Sequence, residues 1–110
     1  MNKGFKQGGS LDKLMKQAQK MQVNLQKAQD VARTFKADGT SGGGAVKVVA
    51  TGENLIESIK IRKDAVDPSD VEILEEMILA AANEALKNVQ IKVENELSKV
   101  TGGLNIPGLT

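Results

Sequence analysis

Hydrophobic positions recur with a heptad spacing along the first third of the chain. From Leu11 to Phe35, successive apolar residues are separated alternately by three and four positions. This spacing places them on one side of an α-helix, as in a coiled-coil seam. Ser10 is a typical N-cap residue, so the pattern predicts a helix over residues 11–33. The seam residues expected to form dimer contacts are Leu11, Leu14, Ala18, Met21 and Leu25.

The middle of the chain changes to the pattern of β-strands. Residues 45–51 are rich in β-branched residues, residues 55–63 alternate, and residues 34–38 form a weaker candidate strand. The sequence Gly52-Glu53-Asn54 predicts a tight hairpin turn between the second and third of these strands. In the third strand, alternation predicts one face made of Ile56, Ser58, Lys60 and Arg62, and an opposite face made of Leu55, Glu57, Ile59 and Ile61.

A second long helix is predicted near the end of the chain. Ser69 and Glu72 have the spacing of a capping box, and Pro68 precedes them. The apolar stripe that follows has a period near 3.6 residues and runs to Val100, before a Gly-Gly pair that favours helix termination. The first half of this helix is apolar on several faces and is expected in the core. The second half keeps only a narrow stripe and is expected to project as an arm.

The predicted fold class is therefore α+β, with two long helices flanking a small antiparallel sheet. The order is α-β-β-β-α, or α-β-β-α if the weak strand is absent. Three strands and two such helices leave apolar surface and strand edges uncovered, so a homodimer is expected. The predicted organisation is one domain over residues 10–101, with a flexible basic arm at 1–9 and a flexible tail at 102–110.

Composition narrows the range of functions. The 110 residues include no Cys, His, Trp or Tyr and only two Phe. The commonest nucleophiles, general bases and metal ligands are therefore missing, and no enzyme activity, cofactor, metal site or small-molecule substrate is predicted. No apolar run approaches the ~18 residues of a membrane span, and the N-terminus lacks the apolar region of a signal peptide. A cytoplasmic protein without a membrane partner is expected.

The stretch DGTSGGGAV, residues 38–46, is rich in glycine, as phosphate-binding loops are. Gly39 and Gly44 even have the spacing of a P-loop, but Ala45-Val46 follow where that motif requires Lys and Ser or Thr. The next predicted element is a strand, whereas a phosphate loop leads into a helix N-terminus. We therefore interpret the glycines as a connection between antiparallel strands.

Positive charge is concentrated in the first third of the chain. Residues 1–36 carry eight basic and two acidic residues, whereas residues 37–110 carry seven basic and twelve acidic residues. On the first predicted helix, lysines form a stripe opposite the seam, interspersed with glutamines, which suits phosphate contacts. A solvated outer face of a coiled coil is the alternative, but such a face usually mixes Glu with Lys, and no Glu occurs before residue 53. The stripe consists of Lys13, Lys16, Lys20 and Lys27, and a weaker candidate pair on the second helix consists of Lys92 and Lys99.

Four segments, taken in order, resemble the YbaB/EbfC family of bacterial nucleoid-associated proteins. They are LMKQAQKMQ, GTSGGGAVKV, the run from Gly52 to Lys60-Ile61, and the closing GGLNIPG. The resemblance covers nearly the whole chain and implies an α-β-β-β-α protomer in a tweezer-shaped homodimer. It also implies a cytoplasmic, nucleoid location and binding of DNA by the helical arms, with a change in DNA conformation. On this chain, those arms carry the six lysines named above.

The hypothesis is thus a dimeric, non-enzymatic protein that binds duplex DNA mainly through phosphate groups. A chain without Trp or Tyr lacks stacking platforms for single strands. The alternative is a prefoldin-like interaction or chaperone-like module, whose helical arms grip protein clients through exposed apolar residues such as Met21, Val23 or Ile91.

Overall fold

Two long helices are joined through a three-stranded antiparallel sheet with strand order β1-β2-β3. The computed structural model describes the backbone of residues 2–101 and the side chains of residues 10–101. The predicted α+β class and α-β-β-β-α order are confirmed. The elements are α1 (Asn2–Arg33), β1 (Lys36–Ser41), β2 (Val46–Thr51), β3 (Ile56–Ile61) and α2 (Val71–Thr101), with a short 3-10 turn at Lys63–Ala65.

Helix α1 starts earlier than predicted. It begins at Asn2, so Ser10 lies inside the helix and the prediction that Ser10 caps its N-terminus is wrong. The heptad seam starts only at Leu11, and helical backbone can extend beyond the apolar positions that reveal it. The side chains of residues 2–9 and the segment 102–110 lie outside the described part, so the predicted arm and tail stay predictions.

Helix α2 is capped by a different residue from the one predicted. The backbone N–H of Ile73 donates to Asp70 Oδ1 at 3.4 Å, and the helix begins at Val71. The predicted capping box starting at Ser69 is therefore wrong. Ser69 instead donates its N–H and its hydroxyl to Asp67 Oδ1, at 2.9 and 2.6 Å, and these bonds lower the pKa of Asp67. Asp67, Ser69 and Asp70 are all residue types that can cap a helix. In the structure Ser69 is hydrogen-bonded to Asp67, and Asp70 caps α2.

Helix α2 packs across β1 and β2, and the core lies between this helix and the sheet. Small side chains predominate there, which lets the helix lie close to the strands. One face of the first half of α2 is thus in the core, but the prediction that several of its faces are buried is not met, since Ile73 and Leu79 are 53% and 63% exposed. The buried core residues are Ala37, Val46, Val48, Ala50, Ala81, Ala85 and Val89.

The outer edge of β1 is covered by side chains of α2. Asn88 Nδ2 donates to the carbonyl of Asp38 at 2.9 Å, and Lys92 Nζ donates to the carbonyl of Lys36 at 2.8 Å. Both carbonyls point away from β2, where another strand would otherwise pair. These bonds therefore occupy two carbonyl acceptors of the β1 edge and make it a poor template for strand addition.

Strand β3 departs from the alternation predicted for it. The register shifts between Val49 and Ala50, so that Val48 pairs with Ile59 and Ala50 pairs with Ile56. Paired residues of antiparallel strands carry their side chains on the same face, so both isoleucines face the side that α2 covers. The prediction that they lie on opposite faces is wrong, because the irregularity adds one residue to β3 and reverses the alternation there.

The two glycine-containing connections are both turns between antiparallel strands. Gly42, Gly43 and Gly44 have φ values of 61°, 65° and 89°, and Ser41 pairs with Val46 across them. The prediction of a strand connection is confirmed, since strands lie on both sides. The turn at residues 52–54 is also confirmed, with Asn54 at φ 63°.

Helix α1 lies antiparallel against the second half of α2. Near the sheet, its seam residues Ala28 and Ala32 are buried. Farther from the sheet Met21 and Leu25 are half-buried, and Leu14 is 61% exposed. The C-terminal half of the predicted seam is therefore occupied by α2 of the same chain. No helix within residues 2–101 has an apolar stretch long enough to cross a membrane.

Candidate nucleic-acid interface

The four lysines of the predicted stripe lie on one side of α1. Successive members are separated by three, four and seven residues. With 3.6 residues per turn, they fall within roughly 60° of one another around the helix axis. All four residues are exposed. From Lys13 to Lys27 the stripe extends ~21 Å, at 1.5 Å per residue.

These lysines are available for an external anion. Within residues 10–101, no ion pair or side-chain hydrogen bond involves Lys13, Lys16, Lys20 or Lys27. Asp30 lies on the same helix but pairs with Arg33, with Nη1 and Oδ1 3.0 Å apart. A phosphate approaching the stripe would therefore meet ammonium groups without first breaking an internal ion pair.

The two helices carry opposite net charge. Residues 10–33 of α1 contain five basic and two acidic residues, a net charge of +3, whereas α2 contains three basic and six acidic residues, a net charge of −3. A polyanion is therefore attracted to α1 and repelled by α2 within the range of a Debye length, about 8 Å at physiological salt.

Both lysines of the weaker candidate pair on α2 have intramolecular partners at the surface. Lys92 Nζ donates to the carbonyl of Lys36 at 2.8 Å, and Lys99 Nζ lies 2.9 Å from Glu96 Oε2. The structure brings both lysines to one groove beside Phe35 but does not join them to the α1 stripe. Contact of either ammonium group with DNA would require an exchange of partners.

The outer face of the sheet carries a further group of charges that sequence reasoning did not single out. Lys36 and Glu57 form an ion pair at 2.7 Å, and Lys47 lies 3.6 Å from Asp38. Lys60 pairs in register with Lys47 on the same face. Alternation along β2 could have indicated this face. Because carboxylates pair two of its lysines, it offers less free positive charge than α1.

Within residues 10–101, no group of three or more carboxylate, His or Cys side chains could hold a metal ion. The grooves beside α1 are open and shallow and are lined by side chains such as Leu14, Gln17 and Val23. The chemistry that this surface offers is therefore electrostatic attraction and hydrogen bonding to an extended anion.

Sequence comparison with known families and with known proteins points to one family. Residues 7–104 match the profile of the YbaB/EbfC DNA-binding family. A nucleoid-associated protein of Pelotomaculum thermopropionicum is 52% identical over 102 residues, which cover 93% of this chain and 97% of that protein. A nucleoid-associated protein of Acetivibrio thermocellus is 50% identical over 103 residues, covering 93% and 91% of the two chains.

The fold also has a counterpart among solved structures. The crystal structure of an uncharacterized protein from Helicobacter pylori superimposes with a TM-score of 0.57 and 20% sequence identity, covering 71% of this chain and 90% of that one. That likeness concerns the fold. The family match extends over nearly the whole chain, and the similarity to the two nucleoid-associated relatives is as extensive. The chain therefore belongs to the YbaB/EbfC DNA-binding family.

Proposed function

We propose that this protein is a non-enzymatic, nucleoid-associated protein that binds duplex DNA through phosphate contacts made by α1. The observation that carries the proposal is the stripe of Lys13, Lys16, Lys20 and Lys27, which is exposed and free of ion pairs within residues 10–101. Family membership and the names of the relatives support DNA as the partner.

The stripe is long enough to reach several phosphates. Its length of ~21 Å is about six times the axial rise of 3.4 Å per phosphate of one DNA strand. Lysine contributes a mobile point charge, and contacts with phosphate carry no direct information on base sequence. Binding is therefore expected to depend weakly on base sequence and strongly on salt.

The homodimer is part of the proposal, and the uncovered face of β3 is the surface that fits it best. Ile56 and Ile59 are 44% and 47% exposed, although they face the side on which α2 covers β1 and β2. Side chains of Asn88 and Lys92 occupy the β1 edge, which favours β3 over β1 as the edge for strand pairing between copies. Two β3 edges related by a two-fold axis would bury both isoleucine pairs and join the sheets.

A dimer gives the mechanism for a change in DNA conformation. Each protomer contributes one α1 stripe, so two separated stripes bind one duplex at fixed distance and angle. DNA that follows both stripes must bend or compact to fit them, and the attraction of the second stripe offsets the deformation cost of about 1–6 kcal/mol. The expected location is then the cytoplasm, on the nucleoid, where duplex DNA is abundant.

The proposal is tested by comparing two sets of lysine variants of equal charge. Binding of a fluorescein-labelled duplex is measured by anisotropy for the quadruple Lys→Gln variant at positions 13, 16, 20 and 27. The control carries Lys→Gln at positions 47, 60, 63 and 87, which changes net charge equally on other elements. We expect a loss of about 100-fold or more for the α1 variant and a much smaller loss for the control.

Equal losses in both variants would mean that net charge alone, and not the α1 stripe, drives binding. Undiminished binding by the α1 variant, with an unchanged circular dichroism spectrum, would contradict the proposed site. The chaperone-like alternative is distinguished by its partner, since gripping of unfolded protein clients depends on apolar residues and survives removal of these lysines.

A further inference from the structure

The seam of α1 is covered at one end and uncovered at the other. Ala28 and Ala32 are buried beside the sheet, whereas Leu11 and Leu14 are 58% and 61% exposed. The exposure of the seam residues increases where α2 ends. Val100, in the last turn of α2, lines an open groove together with Leu14 and neighbouring residues of α1. Those neighbours are Gln17, Ala18, Lys20, Met21 and Asn24.

Helix α2 ends beside this groove. The two helices are antiparallel, because Phe35 lies beside Lys92 and Lys99 while Val100 lies beside Leu14 and Met21. The last described turn of α2 therefore lies at the point where the α1 seam loses its partner. The next part of the seam, toward Leu11, lies beyond it.

The sequence of the following segment suits an extended strand of apolar anchors. Residues 102–110 read GGLNIPGLT. Gly102-Gly103 terminates a helix, and Pro107 favours extended backbone and excludes a helix interior. Leu104, Ile106 and Leu109 supply three large apolar side chains. Nine residues span up to ~30 Å when extended, whereas Leu11 to Met21 extends ~15 Å along α1.

We propose that residues 102–110 of the same chain pack along the exposed end of the α1 seam, with Leu104 and Ile106 seated in the groove beside Leu14 and Ala18. The segment continues the cover that α2 provides nearer the sheet. It removes apolar surface from water at the end of the arm, and it leaves Lys13, Lys16 and Lys27, which do not line this groove, exposed. The N-terminal half of the seam is then closed within one chain and does not form a contact between copies.

The chain contains no cysteine, so no native thiol can form a competing disulfide when two cysteines are introduced. The test uses the full chain with Leu14→Cys combined with Ile106→Cys. The matched control combines Val23→Cys with Ile106→Cys, since Val23 is also exposed but lies on the opposite side of α1. Mild oxidation is followed by non-reducing gel electrophoresis, which separates a disulfide within one chain from a disulfide between two chains.

We expect the Leu14 pair to form an intrachain disulfide about tenfold faster or more than the Val23 pair, because packing raises the effective concentration of the two thiols. Equal rates for the two pairs would overturn the proposal. A disulfide that joins two chains would also overturn it and would assign the groove to the segment of a second copy.

A second measurement uses a dye that fluoresces on exposed apolar surface. The double variant Leu104→Asp/Ile106→Asp cannot bury these side chains, because an unpaired carboxylate is costly in an apolar groove. We expect about twofold or greater binding of anilinonaphthalene sulfonate relative to wild type, with the helical circular dichroism signal unchanged. No increase in dye fluorescence would mean that the groove is open, or filled by another partner, in the wild-type chain.

Discussion

Gly39 on β1 lies directly against the backbone of α2 at Ala81. A Cβ atom at Gly39 would overlap the carbonyl oxygen of Ala81 and the amide nitrogen of Ala85. At Gly39, the side of β1 that faces the helix therefore has no room for even a methyl group. This contact sets how closely α2 approaches the sheet, and through α2 it positions α1 and its lysines.

Replacing Gly39 with Ala should accordingly destabilise the protein. The added methyl group meets backbone atoms and not the end of a flexible side chain, so either the strand or the helix must move. We expect a loss of about 1–3 kcal/mol or more in the free energy of unfolding, measured by urea denaturation. Thr40→Ala, at the exposed neighbouring position, serves as control and should change stability by no more than about 1 kcal/mol. Equal stability of the Gly39→Ala variant and wild type would mean that α2 does not pack as closely as described.

Self-association should depend on β3 more than on the α1 seam. Ile59→Asp places a carboxylate in the proposed β3 contact, whereas Leu14→Asp changes the uncovered end of α1. Both side chains are about half exposed or more in the protomer, so neither change should unfold it. We expect sedimentation equilibrium at micromolar concentration to show a dimer of the 11.7 kDa chain for wild type and Leu14→Asp, and a monomer for Ile59→Asp. A monomeric Leu14→Asp variant with dimeric Ile59→Asp would instead support the α1 seam as the dimer interface.

Substitution in the glycine loop should lower stability, and the loop should not bind nucleotides. Gly43 has φ 65° and open space around it, so Gly43→Ala should cost about 1–2 kcal/mol through backbone conformation alone. Because strands flank the loop, no helix N-terminus faces an anion there. Isothermal titration with ATP or GTP should therefore detect no saturable binding. Saturable binding that is lost in the Gly43→Ala variant would revive the phosphate-loop interpretation.

The long apolar periods and the turn residues were sufficient to predict the element order. The seam from Leu11 to Phe35 and the stripe ending at Val100 indicated both helices, because an amphipathic helix shows its buried face directly in sequence. The boundaries were predicted less well. Ser69 and Asp70 are both good caps, and only the three-dimensional turn decides between them.

For the interface residues, too, some features could be predicted from the sequence and others could not. Exposure of the α1 lysines follows from their position opposite the seam, so it could be predicted. The engagement of Lys92 by the carbonyl of Lys36 could not, since it joins positions 56 residues apart in the chain. The shared face of Ile56 and Ile59 was also missed, because a one-residue irregularity in β3 reverses the alternation and leaves no clear signal in the local sequence.

Salt dependence of DNA binding tests the central claim most directly. Two α1 stripes offer up to eight lysines per dimer. If ~6 of them neutralise phosphates, the slope of log K against log salt is about −5, at −0.9 per phosphate. Affinity should then fall roughly 10³-fold between 50 and 200 mM salt.

The decisive measurement is this slope for wild type and for single variants, determined by gel shift on long duplex DNA. Each Lys→Gln change at positions 13, 16, 20 or 27 alters both protomers and should flatten the slope by up to about 2, with similar weakening for all DNA sequences. Gln19→Ala and Gln26→Ala, on the same helix, should leave the slope unchanged. A complex whose affinity does not depend on salt, or a slope unchanged in the quadruple Lys→Gln variant, would contradict binding of DNA by the lysine stripe of α1.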